Sequence, residues 1–118
     1  MVRVIIAGSR GFQDYELLKS KCDKILQNFE EIEIVSGRAR GADALGERLA
    51  LERGYSIKLF PADWDKYRKS AGHIRNAQMA DYGDCLTLFW DGTSKGSEDM
   101  LALARKKGLK IRVIRYEI

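Results

Sequence analysis

The strongest constraint on the fold of this chain is the alternation of short apolar segments with longer segments of helical periodicity. Five short segments are dominated by apolar residues, and four longer ones repeat apolar residues at helical spacing. Such an alternation predicts parallel strands joined by helices. The expected strands are Val2–Ala7, Ile32–Val35, Ser56–Phe60, Cys85–Trp90 and Ile111–Ile114, and the expected helices are Asp14–Phe29, Ala42–Arg53, Gly72–Tyr82 and Ser97–Lys107.

The connections between these segments narrow the topology. Crossovers between parallel strands are right-handed, which limits the possible strand orders. We predict a three-layer, Rossmann-like α/β domain over residues 1–118, with a five-stranded parallel sheet in the order 3-2-1-4-5. This order brings the turns after strands one, two and four together at the edge where ligands of open α/β sheets bind. The segment Pro61–Ser70 fits neither pattern and is expected to be a polar, aromatic connection.

These three turns combine glycine with arginine, lysine or hydroxyl side chains. Glycine allows close approach of the backbone, helix N-termini offer free N–H groups, and a guanidinium matches the geometry of a phosphate. Asp43 is either a favourable acid in the first turn of a helix or an acceptor for a ribose hydroxyl. The turns therefore predict contacts to a small phosphorylated ligand from Gly8, Ser9, Arg10, Ser36, Gly37, Arg40, Gly41, Asp43, Gly92, Ser94, Lys95, Gly96 and Ser97.

Composition argues against several other classes of function. The net charge is +4, but basic residues are scattered among acidic ones, so we do not expect nucleic-acid binding. Cys22 and Cys85 fit reduced core residues of a cytoplasmic protein. With His73 as the only histidine and no Cys-x-x-Cys pair, we expect no metal site. The first turn lacks the complete dinucleotide fingerprint, and we expect no resident cofactor. No apolar run is long enough to suggest a membrane span.

Four segments together resemble the SLOG superfamily of Rossmann-like nucleotide-binding domains, and in particular its single-domain YspA/YpsA-related branch. These segments are Val4–Arg10, Ser36–Asp43, Gly72–Asn76 with Met79, and Gly92–Ser97. The resemblance implies a pocket for a nucleotide or nucleotide-derived ligand. It also adds Arg75 and Asn76 to the expected ligand contacts.

One position departs from the hydrolytic LOG members of that superfamily. Gly96-Ser97 stands at the Gly-Thr of their glycine-rich loop, and Met100 then occupies the place of their catalytic glutamate. Cleavage of an N-glycosidic bond needs a carboxylate. We therefore expect sensing or sequestration of a nucleotide or ADP-ribose-like molecule. The alternatives are hydrolysis of a nucleoside monophosphate, with Asp43, Glu98 or Asp99 as the acid, and nucleic-acid binding of the DprA type.

Aromatic residues in the connection after the third strand suggest two further roles. Trp64 and Tyr67 have no obvious core partner, and with Trp90 they are candidates to stack on a base. The segment Pro61–Ser70 is also the expected contact surface of a homo-oligomer, most simply a two-fold dimer.

Overall fold

The computed structural model describes residues 1–117, which form a five-stranded sheet with every strand parallel. The strands are β1 (Val2–Gly8), β2 (Ile32–Ser36), β3 (Ser56–Leu59), β4 (Cys85–Trp90) and β5 (Lys110–Arg115). Their order is β3-β2-β1-β4-β5, which confirms the predicted order. The central strand β1 pairs with β2 and β4, so that Val4 lies opposite Ile34 on one side and Cys85 on the other.

Helices cover both faces of the sheet and complete the predicted three layers. They are α1 (Tyr15–Leu26), α2 (Ala42–Arg53), the single turn α3 (Trp64–Tyr67) with a 3-10 turn at Arg68–Ser70, α4 (Ala71–Tyr82) and α5 (Lys95–Lys106). Side chains of a strand alternate between the two faces. Val4 and Ile6 pack with the core under α1 and α2, whereas Ile5 and Ala7 pack with the core under α4 and α5.

Capping residues explain where several helices begin and end. Asp14 Oδ1 accepts a hydrogen bond from the N–H of Leu17 at 3.0 Å, as expected for an N-cap. Gly54 ends α2 in the left-handed conformation, with φ of 73°. Asp63 Oδ1 accepts from the N–H of Lys66 at 3.1 Å and starts α3, a turn that the sequence analysis did not predict. None of the helices in residues 1–117 has the length and apolarity to span a membrane.

Two helix boundaries differ from the sequence prediction by more than one residue. Helix α1 ends at Leu26, where the chain turns and the N–H of Phe29 donates to the Leu26 carbonyl. Phe29, predicted as the last residue of this helix, is 41% exposed. Helix α5 begins at Lys95, two residues earlier than predicted. The cause is the hydroxyl of Ser94, which accepts from the N–H of Ser97 at 3.4 Å and caps the helix.

Candidate ligand-binding site

The turns after β1, β2 and β4 meet at one edge of the sheet, and Ser9 joins them. Its N–H donates to the carbonyl of Phe89 at 3.0 Å, and its hydroxyl accepts from the N–H of Asp91 at 3.2 Å. Its carbonyl accepts from the N–H of Ala42, the first residue of α2, at 3.4 Å. Ser9 is buried, so these bonds fix the three turns relative to one another.

Two of the predicted glycines are required by this contact between turns. A Cβ on Gly8 would overlap the carbonyl oxygen of Phe89. Gly41 has φ of 76°, and a Cβ there would overlap the carbonyl oxygen of Ser9. Close packing of the backbone therefore explains both glycines without reference to a ligand.

A cavity of about 360 Å³ opens beside the joined turns. Ala7, Met79 and Met100 supply its apolar surface, and Gly11, Ala39 and Asp91 also line it. The predicted contacts that line it are Gly8, Ser9, Arg10, Asp43, Arg75, Asn76, Ser94, Gly96 and Ser97. The combination of a mixed apolar wall with a few convergent polar groups is typical of small-molecule sites.

A chain of hydrogen bonds holds Arg75 in place. Its guanidinium donates to the carbonyl of Gly37 and, through Nε, to Asn76 Oδ1 at 2.9 Å. Asn76 Nδ2 donates to Asp99 Oδ2 at 3.0 Å, and Asp99 Oδ1 lies 2.7 Å from His73 Nδ1. The His73–Asp99 pair could not be found from the sequence, because the two residues lie on different helices, α4 and α5. Asp99 is thereby tied to α4.

Asp43 places a buried carboxyl group on the cavity wall. It lies in the first turn of α2, is only 4% exposed, and accepts from the N–H of Ala39 at 3.4 Å. Burial raises the pKa of Asp43 to about 6, against the opposing effects of the Arg75 charge and of backbone hydrogen bonds. A carboxyl group whose pKa is shifted in this way is a strong candidate for a functional residue.

The third turn brings the N-terminus of α5 to the same cavity. Asp91 Oδ1 accepts from the N–H groups of Thr93 and Ser94 at 2.9 and 2.8 Å, and these bonds lower the pKa of Asp91. The first N–H groups of a helix have no partner within it and attract anions. Gly96 and Ser97 from this first helical turn line the cavity.

Comparison with known families identifies the domain. Residues 2–67 match the sequence profile of the YspA, cpYpsA-related SLOG family. This chain belongs to that SLOG family. The Gene 61 protein of Mycobacterium phage D29 is 32% identical over an alignment of 118 positions. This alignment covers 94% of this chain and 94% of the phage protein.

A solved structure shows the same SLOG-type fold. The DNA processing protein A (DprA) of Streptococcus pneumoniae superposes with a TM-score of 0.76 at 20% sequence identity. The alignment covers 100% of this chain and 52% of DprA, so the SLOG domain described here spans about half the length of that protein. At this identity the likeness concerns the fold.

In the turn after β2 of the SLOG domain, two polar side chains bind α2 and not the cavity. Ser36 Oγ donates to Glu47 Oε2 at 2.6 Å, and Arg38 Nη1 donates to Glu47 Oε1 at 2.7 Å. Ser36, although predicted as a ligand contact, is thus buried against α2. Gly37 and Arg40 line a second cavity of about 270 Å³ next to the first.

Three other predicted contacts, among them Gly41 described above, do not line the 360 Å³ cavity in the part of the chain that the structure describes. Gly92 has φ of 88° and packs against the guanidinium of Arg115. Lys95 is exposed at the first position of α5. A role for Lys95 in ligand binding stays a prediction.

Proposed function

We propose that this SLOG domain binds a small, phosphorylated, nucleotide-type ligand, such as a nucleotide or an ADP-ribose-like molecule, for sensing or sequestration. One observation carries the proposal: Arg10, Arg75 and the N-terminus of α5 line the same cavity as the buried acceptor Asp43. Guanidinium groups and helix N-termini both stabilise phosphate. A carboxylate beside them suits the hydroxyls of a ribose.

The cavity offers a different environment to each part of such a ligand. Arg75 is half-buried and already fixed by hydrogen bonds, whereas Arg10 is exposed at the rim. A fixed guanidinium loses little side-chain entropy when it contacts a phosphate. Met79 and Met100 line this cavity but are each only 1% exposed, so they offer a base or sugar a small apolar contact.

Calorimetric titration tests this proposal. AMP, NAD, ADP-ribose and cyclic ADP-ribose would be titrated into the wild-type protein and into Arg10→Ala. Loss of a charge-assisted contact is expected to weaken binding by roughly tenfold or more. Arg105→Ala is the matched control, because Arg105 is exposed in the last turn of α5, at the end opposite the cavity. A folded wild-type sample that bound none of these compounds at millimolar concentration would contradict the proposal.

Asp43 supports a second candidate function, hydrolysis of a nucleoside monophosphate. Of the three acids considered in the sequence, Asp43 lines the cavity, Asp99 is hydrogen-bonded to Asn76, and Glu98 is exposed. A carboxyl group with a pKa near neutrality is suited to general acid–base catalysis. This function would place on Asp43 the role that a glutamate at the position of Met100 has in LOG enzymes.

Release of free base from AMP, followed by chromatography, separates the two functions. Turnover by the wild type that Asp43→Asn abolishes would establish the enzyme. Absence of turnover by a sample that binds AMP would leave the domain as a binding module.

A further inference from the structure

The second cavity is basic and adjoins the first. Arg10, Ala39 and Arg75 line both cavities, so these three residues form the border between them. The rest of the second cavity is formed by Gly37, Arg38, Arg40, Pro61, Ala62 and Trp64. Four arginines and no acidic residue therefore surround a space of about 270 Å³.

The arginines of the second cavity differ in how far they are neutralised. Arg38 forms an ion pair with Glu47 at 2.7 Å, and Arg75 is attracted by the Asp43 carboxylate. The ion pairs within residues 1–117 leave Arg10 and Arg40 without a carboxylate partner. Cations concentrated along one groove create a positive potential that favours an anionic ligand.

Trp64 forms an aromatic wall of this basic cavity. Trp64 is 50% exposed, and Asp63 caps the helical turn that carries it. A Cβ built on Gly72 would lie 3.6 Å from Trp64 Cη2 and 3.8 Å from Arg75 Nη2, so the indole edge and the guanidinium border the same glycine. A half-exposed indole beside cations is a surface on which a base can stack.

We propose that the ligand of this domain is a pyrophosphate-linked dinucleotide that extends from the first cavity into the second. One nucleoside occupies the first cavity, Arg10 and Arg75 contact the phosphates at the junction, and the second base stacks on Trp64 beside Arg40. This inference rests on the proposed function and specifies its ligand class. The first cavity alone lies near the lower end of the ~300–1,000 Å³ usual for ligand sites, and the second provides the additional room.

A symmetric dinucleotide gives the sharpest test, because either orientation places a base in each cavity. Diadenosine 5′,5′-pyrophosphate and AMP would be titrated calorimetrically into the wild type, Trp64→Ala and Trp64→Phe. We expect the dinucleotide to bind the wild type at least tenfold more tightly than AMP. Trp64→Ala should weaken dinucleotide binding about tenfold or more and leave AMP binding within about twofold, since stacking on an aromatic residue carries this energy.

Two controls accompany this experiment. Phe29→Ala removes another exposed aromatic side chain, one that borders a different cavity at the opposite edge of the sheet, and should change neither affinity. Arg40→Ala should weaken the dinucleotide alone, whereas Arg105→Ala should weaken neither ligand. Trp64→Phe keeps an aromatic ring and should retain most of the dinucleotide affinity.

The outcomes separate this inference from the proposed function. Equal affinities for AMP and the dinucleotide, with no effect of the Trp64 variants, would overturn the dinucleotide and leave the nucleotide site intact. Absence of binding by both would overturn both proposals. Tight, steeply salt-dependent binding of oligothymidylate through Trp64, without a preference for the dinucleotide over AMP, would overturn the inference in favour of single-stranded nucleic acid.

Discussion

Replacing Asp43 by asparagine should stabilise the protein at neutral pH and weaken ligand binding at the same time. Burial raises the pKa of Asp43 from 3.8 to about 6, a value that already includes the attraction of Arg75. Each unit of pKa shift corresponds to about 1.4 kcal/mol, so the ionised carboxylate costs the native state roughly 3 kcal/mol. Asparagine keeps the size and one acceptor oxygen but carries no charge, and thus removes this cost.

The dependence on pH follows from the direction of the shift. The native state holds the Asp43 proton more tightly than the unfolded state, so the contribution of Asp43 to the free energy of unfolding falls as pH rises. The destabilisation by the ionised Asp43 carboxylate is absent below pH 3.8. It grows between pH 3.8 and about 6 and reaches its full value above that pH. Asp43→Asn should therefore gain little over the wild type near pH 4 and most at pH 8.

Urea denaturation of both proteins at pH 5 and pH 8 measures this difference. At pH 8 the free energy of unfolding should be roughly 3 kcal/mol higher for the variant. In a thermal melt of a domain of this size, that difference corresponds to an increase in Tm on the order of 10 °C. Asp91→Asn is a control of opposite sign, because hydrogen bonds from Thr93 and Ser94 lower the pKa of Asp91 and its ionised form stabilises the native state. An Asp43→Asn variant less stable than the wild type at pH 8, or one with the same advantage at pH 5 and pH 8, would refute the reasoning.

Three further predictions concern stability, reactivity and assembly. Gly41→Ala should lower the free energy of unfolding by about 2 kcal/mol or more, because φ is 76° and the Cβ would overlap the Ser9 carbonyl; Gly11→Ala, whose Cβ would meet no atom within 4 Å, is the denaturation control. Burial raises the pKa of Cys22 to about 12, so a thiol reagent at pH 8 should label it only upon unfolding. Light scattering at high micromolar concentration is expected to show a homo-oligomer formed through residues 61–70. Because this segment carries Trp64, such an oligomer would compete with the base proposed to stack there. A strict monomer would remove the oligomer prediction without affecting the cavity.

The sheet was predictable because local sequence and tertiary structure agree there. Helix α2 begins and ends where the sequence indicates, since Gly54 supplies the left-handed residue that stops it. The start of α5 was less predictable, because Ser94 and Ser97 are both capable caps and the choice depends on the turn that precedes them. Short-range signals fix the existence of these elements better than their ends.

The site was predictable only as far as its turns. Arg10 and Asp43 could be identified because their turns follow neighbouring parallel strands. The hydrogen-bond partner of Ser36 could not be identified, because the orientation of α2 decides that Glu47 Oε2 lies 2.6 Å from Ser36 Oγ. The approach of Trp64 to Arg75 likewise depends on how the connection after β3 packs against α4, and no spacing in the sequence encodes it.

The position of Ser9 between the three turns has a consequence for the motions of this site. Turns at the edge of a sheet commonly exchange their amide hydrogens through small local openings. Here the amides of Ala42 and Asp91 both donate to Ser9, and the amide of Ser9 donates to the carbonyl of Phe89 near the end of β4. The hydrogen bonds that join the three turns therefore all involve one buried residue. Opening one turn breaks the support of the other two, so these amides should exchange together, and at a free energy close to that of the central strands.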